Sequence, residues 1–414
     1  MTRVLVVNMG SPETDRLAVE LAARGALAGL VKRYANQGRW WERSLGRLPA
    51  IGPLYVSTLG RRVPPAGLGT DHLREAGVWL DFAFAISGRI QRRFSGHTGR
   101  LANHLLQQTQ MAVARHAARC VDDADMVVAN YHVALPAFQR ARLLGRRTVL
   151  NYPIAHHRWQ YREFEEQARR NPQFAAALPK FGNKEAHSAL LDEEIELADR
   201  ILVGSGFVRD TFVEEGVPSH KLRVVPYGAD ASRFHANSED RLGRAGFRVL
   251  FSGQIGERKG VSFLLAAYEK FRKPDTELHL VGDFVADRAV YARFEGLYHH
   301  TPNVPQAALP ALMHAADVFV LPTLVEGMPM VVIEAMACGL PVIATPRGPD
   351  EVVRDGVDGF VVRPCDTEAI VQKLQQLYDD RSLLRRMSED AARNGATWTW
   401  SRYAQSAADH VLAD

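Results

Sequence analysis

At 414 residues the chain exceeds one ordinary hydrophobic core, so two domains are expected. It is 46% hydrophobic and 24% charged, a globular composition, and no run of 18 apolar residues occurs, which argues against a membrane-spanning helix. The net charge of +4 is uneven: Lys32 to Arg100 hold twelve bases against four acids, +8 locally, leaving about −4 elsewhere.

Such a patch suits an anionic partner, such as a membrane surface, a lipid phosphate or an acidic glycan. A solvated arginine-rich face accounts for the same count. Nucleic acid is disfavoured, since no nucleic-acid fold signature accompanies the charge. Cys120, Cys338 and Cys365 are odd in number, dispersed and without metal spacing, which points to a reducing compartment and no disulfide frame. Met1 to Asn8 is too short and strand-like for a signal peptide. The expectation is a cytoplasmic protein with peripheral contact at an inner membrane face through residues 32–100.

Arg3 to Asn8 reads as a buried strand, Met9 to Pro12 as a turn, Glu13 to Arg24 as a helix and Leu27 to Tyr34 as the next strand. This opens a doubly wound α/β domain, without the dinucleotide fingerprint G-x-G-x-x-G. Gln37 to Phe94 interleaves aromatic and basic residues around Trp40-Trp41 and an apolar stretch at 78–86. It reads either as a membrane-touching or acceptor-binding insertion or as an irregular part of the first core.

One phrase recurs three times: Ala124-Asp125, Ala198-Asp199 and Ala316-Asp317, each after a helical pattern and before an apolar run. This is the syntax of parallel α/β units. Asp125 is accordingly a helix-to-strand turn residue rather than half of an Asp-x-Asp metal site with Asp123. Arg147 to Tyr152 is a strand running into Pro153 to Trp159. His156 and His157 therefore lie just beyond a strand's carboxyl end, where open α/β sheets bind ligands, although an ordinary exposed loop accounts for them equally. Glu163 to Leu197 is charged and helical, broken at Gly182-Asn183. Pro226 to Asp230 closes the first half, and a linker fits at Ala231 to Gly246. The expected domains are 1–228 and 229–396, with a C-terminal helix at about 397–414 packing back on the first.

Phe247 to Ser252 restarts the pattern. Its loop, Gly253-Gln254-Ile-Gly-Glu-Arg258-Lys259-Gly260, puts adjacent cations between glycines ahead of a helix, a diphosphate clamp. Gly282, at the end of the next strand, permits close approach of a flat base, and Val304 lies in a strand-end loop that frames it. A further unit follows: strand Val318 to Leu321, loop Val325 to Pro329, then a helix from Met330 with Pro329 at its first position, ended by Gly339. Glu326 precedes that helix and Glu334 lies one turn inside it. A helix start suits phosphate and ionised carboxylates accept from sugar hydroxyls, so the pair fits a nucleotide-sugar site; an amphipathic helix with an N-terminal acid for its dipole fits the same spacing.

With both loops placed, the second half resembles the retaining glycosyltransferases of family four. The residues that carry the likeness are Glu326 and Glu334 as a Glu-x7-Glu motif, Arg258-Lys259-Gly260, Ala316-Asp317 to Pro322, Gly339 to Ala344 and Asp355 to Phe360. It covers roughly 200–405 well and the first 120 residues only in outline. The resemblance implies the GT-B fold, two facing Rossmann-like domains with the active site between them. It implies that Glu326 contacts the donor sugar's hydroxyls and Glu334 the ribose, and that Gly327, Met328, Pro329 and Met330 meet the sugar or diphosphate. Lys259 and Arg258 would neutralise the leaving diphosphate, Gly253 and Gln254 would begin the donor loop, and Gly10 would sit by the diphosphate from the other domain. One of His156 and His157 would be the active-site histidine. Gln254 departs from the family's arginine.

The implied activity is hexosyl transfer from a nucleotide-diphosphate sugar to a glycan, lipid-linked glycan or small acceptor, with front-face retention and no metal or other cofactor. A GT-B phosphorylase, a nucleotide-sugar epimerase and a non-catalytic sugar-nucleotide sensor are the alternatives. A dehydrogenase is disfavoured by the missing fingerprint.

Overall fold

The computed structural model describes residues 2–49, 52–84, 98–237 and 246–413. Arg89, Arg92 and Arg93 of the basic region, the end of the apolar stretch 78–86 and part of the linker after Ala231 lie outside the described residues, as does the side chain of Arg100.

Two parallel α/β sheets form. The first has seven strands, β1 (Val4–Asn8), β2 (Leu27–Lys32), β3 (Leu73–Glu75), β4 (Met126–Asn130), β5 (Arg147–Asn151), β6 (Arg200–Val203) and β7 (Leu222–Val224), in the order β3-β2-β1-β4-β5-β6-β7. The second has six, β8 (Phe247–Ser252), β9 (Thr276–Val281), β10 (His299–Thr301), β11 (Val318–Leu321), β12 (Val342–Ala344) and β13 (Gly359–Val361), in the order β10-β9-β8-β11-β12-β13. Strands β1, β4 and β11 are buried throughout, as near-continuous apolar runs between two helix layers must be.

The three Ala-Asp phrases share one physical role. Each aspartate accepts a hydrogen bond from a backbone N–H at the start of the neighbouring strand: Asp125 from Arg3 at 2.9 Å, Asp199 from Thr148 at 2.8 Å and Asp317 from Arg248 at 2.7 Å. The side chain thus satisfies a strand-end donor and fixes where adjacent strands begin. Asp125 also pairs with Arg146 at 3.3 Å.

The chain packs into two compact units. One comprises Met1–Tyr152, Glu185–Leu202 and Ala404–Asp414, the other Pro153–Lys184 and Val203–Tyr403. A cut after Gly228 follows strand pattern along the chain, whereas contact groups Pro153–Lys184 and Val203–Gly228 with the second unit. Within the first unit the end of the helix Trp400–Leu412 is tied down by Asp409 on Arg24 at 2.6 Å, and Arg200 Nη1 donates to the Ala413 carbonyl at 2.6 Å.

Two local expectations shift. The strand from Leu27 ends at Lys32 rather than Tyr34, because Tyr34 turns inward to bond Tyr55 and Glu42 through its hydroxyl. Pro329 is the extended cap residue (φ −74, ψ 98) of the helix Met330–Ala337 rather than its first helical position.

Candidate active site

The site is built at the carboxyl ends of β8, β9 and β11, all within the second unit. After β8, a short 3-10 turn Glu257–Lys259 leads into the helix Val261–Phe271. Glu257 anchors this turn from below, accepting hydrogen bonds from Ser262 Oγ at 2.5 Å and Tyr291 Oη at 2.9 Å. Burial pushes its carboxyl up against those bonds. The turn is stitched to the loop after β11: the Arg258 carbonyl accepts from Leu324 N–H and Thr323 Oγ1, both at 2.9 Å. Gly260, at φ +71, has no room for a Cβ against the Pro322 carbonyl. Close backbone approach is therefore the reason for glycine there.

This stitching brings Glu326 against both cations. Lys259 Nζ lies 2.6 Å from Glu326 Oε1, and Arg258 pairs with the same oxygen. Glu326 and Lys259 are each 8% exposed. Burial would raise the Glu326 carboxyl, but the charges of Lys259 and Arg258 together hold it below its ordinary value. Burial lowers the Lys259 ammonium, and Arg258 adds to that against the pull of Glu326. The result is one carboxylate between two cations, with a net positive charge in a desolvated pocket.

Gly327 follows directly, and a Cβ there would overlap the Pro153 carbonyl. Ser205 Oγ donates to the Gly327 carbonyl at 2.6 Å. Among the described residues neither the Gly327 nor the Met328 N–H donates a hydrogen bond, so both donors are available beside Glu326. Glu334, on the following helix, accepts from Gln306 Nε2 at 3.0 Å, and Gln306 accepts from Arg233 at 2.7 Å. Burial raises the Glu334 carboxyl despite that bond.

Gly253 and Gly282 sit back to back. Both have left-handed φ (+143 and +142), and a Cβ on Gly282 would overlap the Gly253 carbonyl. Their N–H groups serve the sheet, to Val281 and Thr301 at 2.9 Å each. The flat backbone surface so created borders Lys259, whose Cε would lie 3.7 Å from a Cβ on Gly253. Val304 is half-buried in the loop after β10. Gln254 is exposed and, with Arg258, Lys259, Lys180 and Asp287, lines a cavity of about 480 Å³.

His156 and His157 are both buried, their rings stacked at 4.3 Å. His156 caps the helix His157–Arg170, its Nδ1 accepting from Arg158 N–H at 3.3 Å. The loop before them packs on the loop after β11: Ala155 shares an apolar cluster with Leu324 and Val325. Gly10 lies in the first unit. The structure thus brings Glu326, Lys259, Arg258 and Gly327 to Met330 together, with Gly253 and Gly282 beside Lys259. Glu334 stands one helical turn away, on the Gln306–Arg233 relay.

Sequence reading misses Ser205, Gln306 and Arg233, and the acid pair Asp350 and Glu351. That pair accepts from the Phe207 N–H at 3.0 Å and from the Gly206 N–H, at the start of the helix Gly206–Glu214. Of these only Ser205 carries a local signal, a serine ahead of a helical run.

Residues 246–380 match the family described as Glycosyl transferases group 1. The chain is 32% identical over 227 residues to a GDP-mannose-dependent alpha-(1-6)-phosphatidylinositol monomannoside mannosyltransferase of Mycolicibacterium smegmatis, covering 49% of this chain and 59% of that one. It is 30% identical over 265 residues to a D-inositol 3-phosphate glycosyltransferase of Streptomyces avermitilis, covering 58% and 57%. The chain spans a little over half the length of these curated relatives. Its fold is shared with Anabaena HepE, solved with UDP and glucose (TM-score 0.64, 15% identity, 100% of both chains), and with sucrose-phosphate synthase of Thermosynechococcus elongatus (TM-score 0.63, 17% identity, 99% and 98%).

Proposed function

We propose, from a chain of GT-B fold whose residues 246–380 match the group 1 glycosyl transferases, that this protein is a retaining hexosyltransferase using a nucleotide-diphosphate sugar. The observation that carries the proposal is the Lys259–Glu326–Arg258 cluster beside the uncommitted Gly327 and Met328 N–H groups. When the anomeric C–O bond breaks, negative charge grows on the diphosphate. Lys259 and Arg258 are placed to transfer their charge from Glu326 to that leaving group, fixed in a water-poor pocket where such interactions are strongest. Glu326, so released, accepts from the sugar's hydroxyls, while Glu334 accepts from the ribose. Gly253 and Gly282 admit the flat nucleotide close to backbone. The cations already present fill the role of charge neutralisation, so the reaction proceeds without a metal. One of the two histidines faces the donor sugar.

The relatives named for mannosyl and inositol-phosphate chemistry support a hexose donor and a polyol, lipid-linked or glycan acceptor. The exposed Trp40, Trp79, Arg43 and Arg61 support peripheral contact with an anionic membrane from a cytoplasmic protein. No helix among the described residues is long and apolar enough to cross a membrane.

The test is a thermal-shift screen against UDP, GDP, ADP and dTDP and their sugar conjugates in EDTA. One base at a hundredfold its Kd stabilises the chain by about 2.7 kcal/mol. NMR of the product with the matched sugar then reports the anomeric configuration. A response to NAD alone, or an inverted product, overturns the reading.

A further inference from the structure

Glu334 is buried on the helix Met330–Ala337, and its two carboxylate oxygens have different surroundings. Oε1 accepts from Gln306 Nε2 at 3.0 Å. Oε2 has no hydrogen-bond partner among the described residues and is not sealed from solvent. An ionised carboxylate only accepts, so the protein fills one edge of this acid and leaves the other for donors such as hydroxyls. Gln306 is committed at both ends of its amide. Its nitrogen gives to Glu334, and its oxygen accepts from Arg233 Nη1 at 2.7 Å. Turned end for end, the amide would set its oxygen against the carboxylate and its nitrogen against the guanidinium. The cation therefore decides that a donor faces Glu334.

Arg233 comes from the stretch after Ala231 that composition reads as a linker, yet it sits on a fixed turn. The Arg233 and Phe234 N–H groups both donate to the Asp230 carbonyl, at 3.0 and 2.8 Å, and Phe234 is 1% exposed. The Asp230 carboxylate accepts from the N–H and Oγ of Ser232 at 3.1 and 2.6 Å and stands 3.7 Å from Arg233 Nη2. The next residue, His235, accepts at its carbonyl from His314 Nε2 at 2.8 Å. His314 ends the helix Leu309–His314, and Gln306 opens the 3-10 turn that leads into it. Both members of the relay are thus tied to one short helix, which fixes their separation. Burial raises the Glu334 carboxyl, and the Gln306 bond and the Arg233 charge pull it back, so the relay favours the ionised acceptor. Gln306 is itself exposed and Arg233 half-buried, so neither side chain fills the core.

We infer that Gln306, oriented by Arg233, is a positioning residue that turns the open edge of Glu334 toward the vicinal hydroxyls of a ribose and so sets a preference for ribonucleotides over nucleotides lacking those hydroxyls. This rests on the reading of Glu334 as the acceptor for the donor's ribose.

Calorimetric titration of the full chain tests it. UDP, GDP and ADP, each beside its 2′,3′-dideoxy form, are titrated into the unaltered chain, Gln306→Leu, Arg233→Gln and Arg233→Lys. The unaltered chain should bind its preferred ribonucleotide at least about tenfold more tightly than the dideoxy form, since hydrogen bonds to a carboxylate are among the stronger ones. Gln306→Leu should lose most of that ratio with its dideoxy affinity unmoved. Arg233→Gln should lose part of it, and Arg233→Lys, which keeps a cation on the Gln306 oxygen, should lose less. A merely structural role would lower both affinities together. That result, or an unchanged ratio in a folded Gln306→Leu, overturns the inference and leaves the transferase reading standing. An unaltered chain that binds nucleotide without telling the two forms apart removes the ribose role of Glu334 and the inference with it. Failure to bind any nucleotide overturns the transferase reading as well.

Discussion

The two units use the same strand, glycine turn and helix but arrange charge in opposite ways. In the second unit the turn after β8 holds its cations against an acid from another loop, so Glu326 keeps Lys259 and Arg258 poised and neutral to within one charge. In the first, the strand ends carry amides: Asn8, Asn130 and Asn151 close β1, β4 and β5 and are buried. Asn130 accepts from Thr14 Oγ1 at 2.8 Å, and Asn151 donates to the same hydroxyl at 3.0 Å. These amides also reach the acids beside them, Asn8 donating to Asp15 at 2.7 Å, itself paired with Lys32, and Asn151 to Glu13 at 3.3 Å, and a buried polar group is tolerated only when it is so satisfied. The comparison separates a unit whose strand-end loop sets two cations on one acid from one whose strand ends are held by amides.

Four outcomes test that separation. The largest effect is expected for Glu326→Ala, which leaves Lys259 and Arg258 facing each other without their acid. Breaking a buried ion pair costs about 3–5 kcal/mol. Thermal unfolding should show the loss, limited by deprotonation of Lys259, and transfer should vanish with it. An unfolding midpoint unchanged from the parent would show that the two cations do not depend on Glu326.

Lys259→Met retains the apolar stem and removes the charge. Turnover should fall about 10²–10³-fold, the usual effect of deleting one donor to developing charge. Steady-state kinetics at saturating donor read this out, and a change in KM alone would place Lys259 in ground-state binding. Gly282→Ala comes next, because its φ of +142 and the Gly253 carbonyl both exclude a Cβ. Backbone strain of this kind costs about 1–3 kcal/mol before the overlap is counted. A denaturant midpoint equal to the parent's would contradict the backbone packing described.

The most gradual effect belongs to the buried polar groups of the first unit. Glu194 is fully buried and accepts from the N–H groups of His132, Ala134 and Leu135 at 2.8, 2.8 and 3.2 Å. Burial outweighs these bonds and drives its carboxyl up to about 7. The folded state then holds the proton more tightly than the unfolded one. Stability should fall as pH rises from about 4.5 to 7 and level off above, since only in that window does the folded state bind more protons. Melting temperature against pH should lose this slope in Glu194→Gln. A slope that persists would assign it to another group.

Much of the second unit was legible. Glu326, Lys259 and Gly327 lie in short loops between strong apolar runs, and local composition places such loops at strand ends. The Ala-Asp phrases announced the strand starts for the same reason. What stayed hidden is long-range: Gln306 and Arg233 reach Glu334 from separate loops, and Asp350 and Glu351 meet the Gly206 helix start from 143 and 145 residues away in sequence. No periodicity encodes such meetings. The register of His156 and His157 was ambiguous in sequence because neighbouring positions differ only in which ring enters the helix, and the fold makes His156 the cap.

The sequence by itself determined most of the strand and helix order and put Glu326, Arg258 and Lys259 in loops at strand ends, because propensity and spacing are local. Only the tertiary structure decided that one carboxylate is shared by two cations in the second unit, that the Gly10 and Ser11 N–H groups are taken by Asn8 in the first, and that Arg33 lies on Gly10. Charge balance and donor satisfaction are set by which side chains meet across the fold, and burial then fixes how strongly each meeting counts.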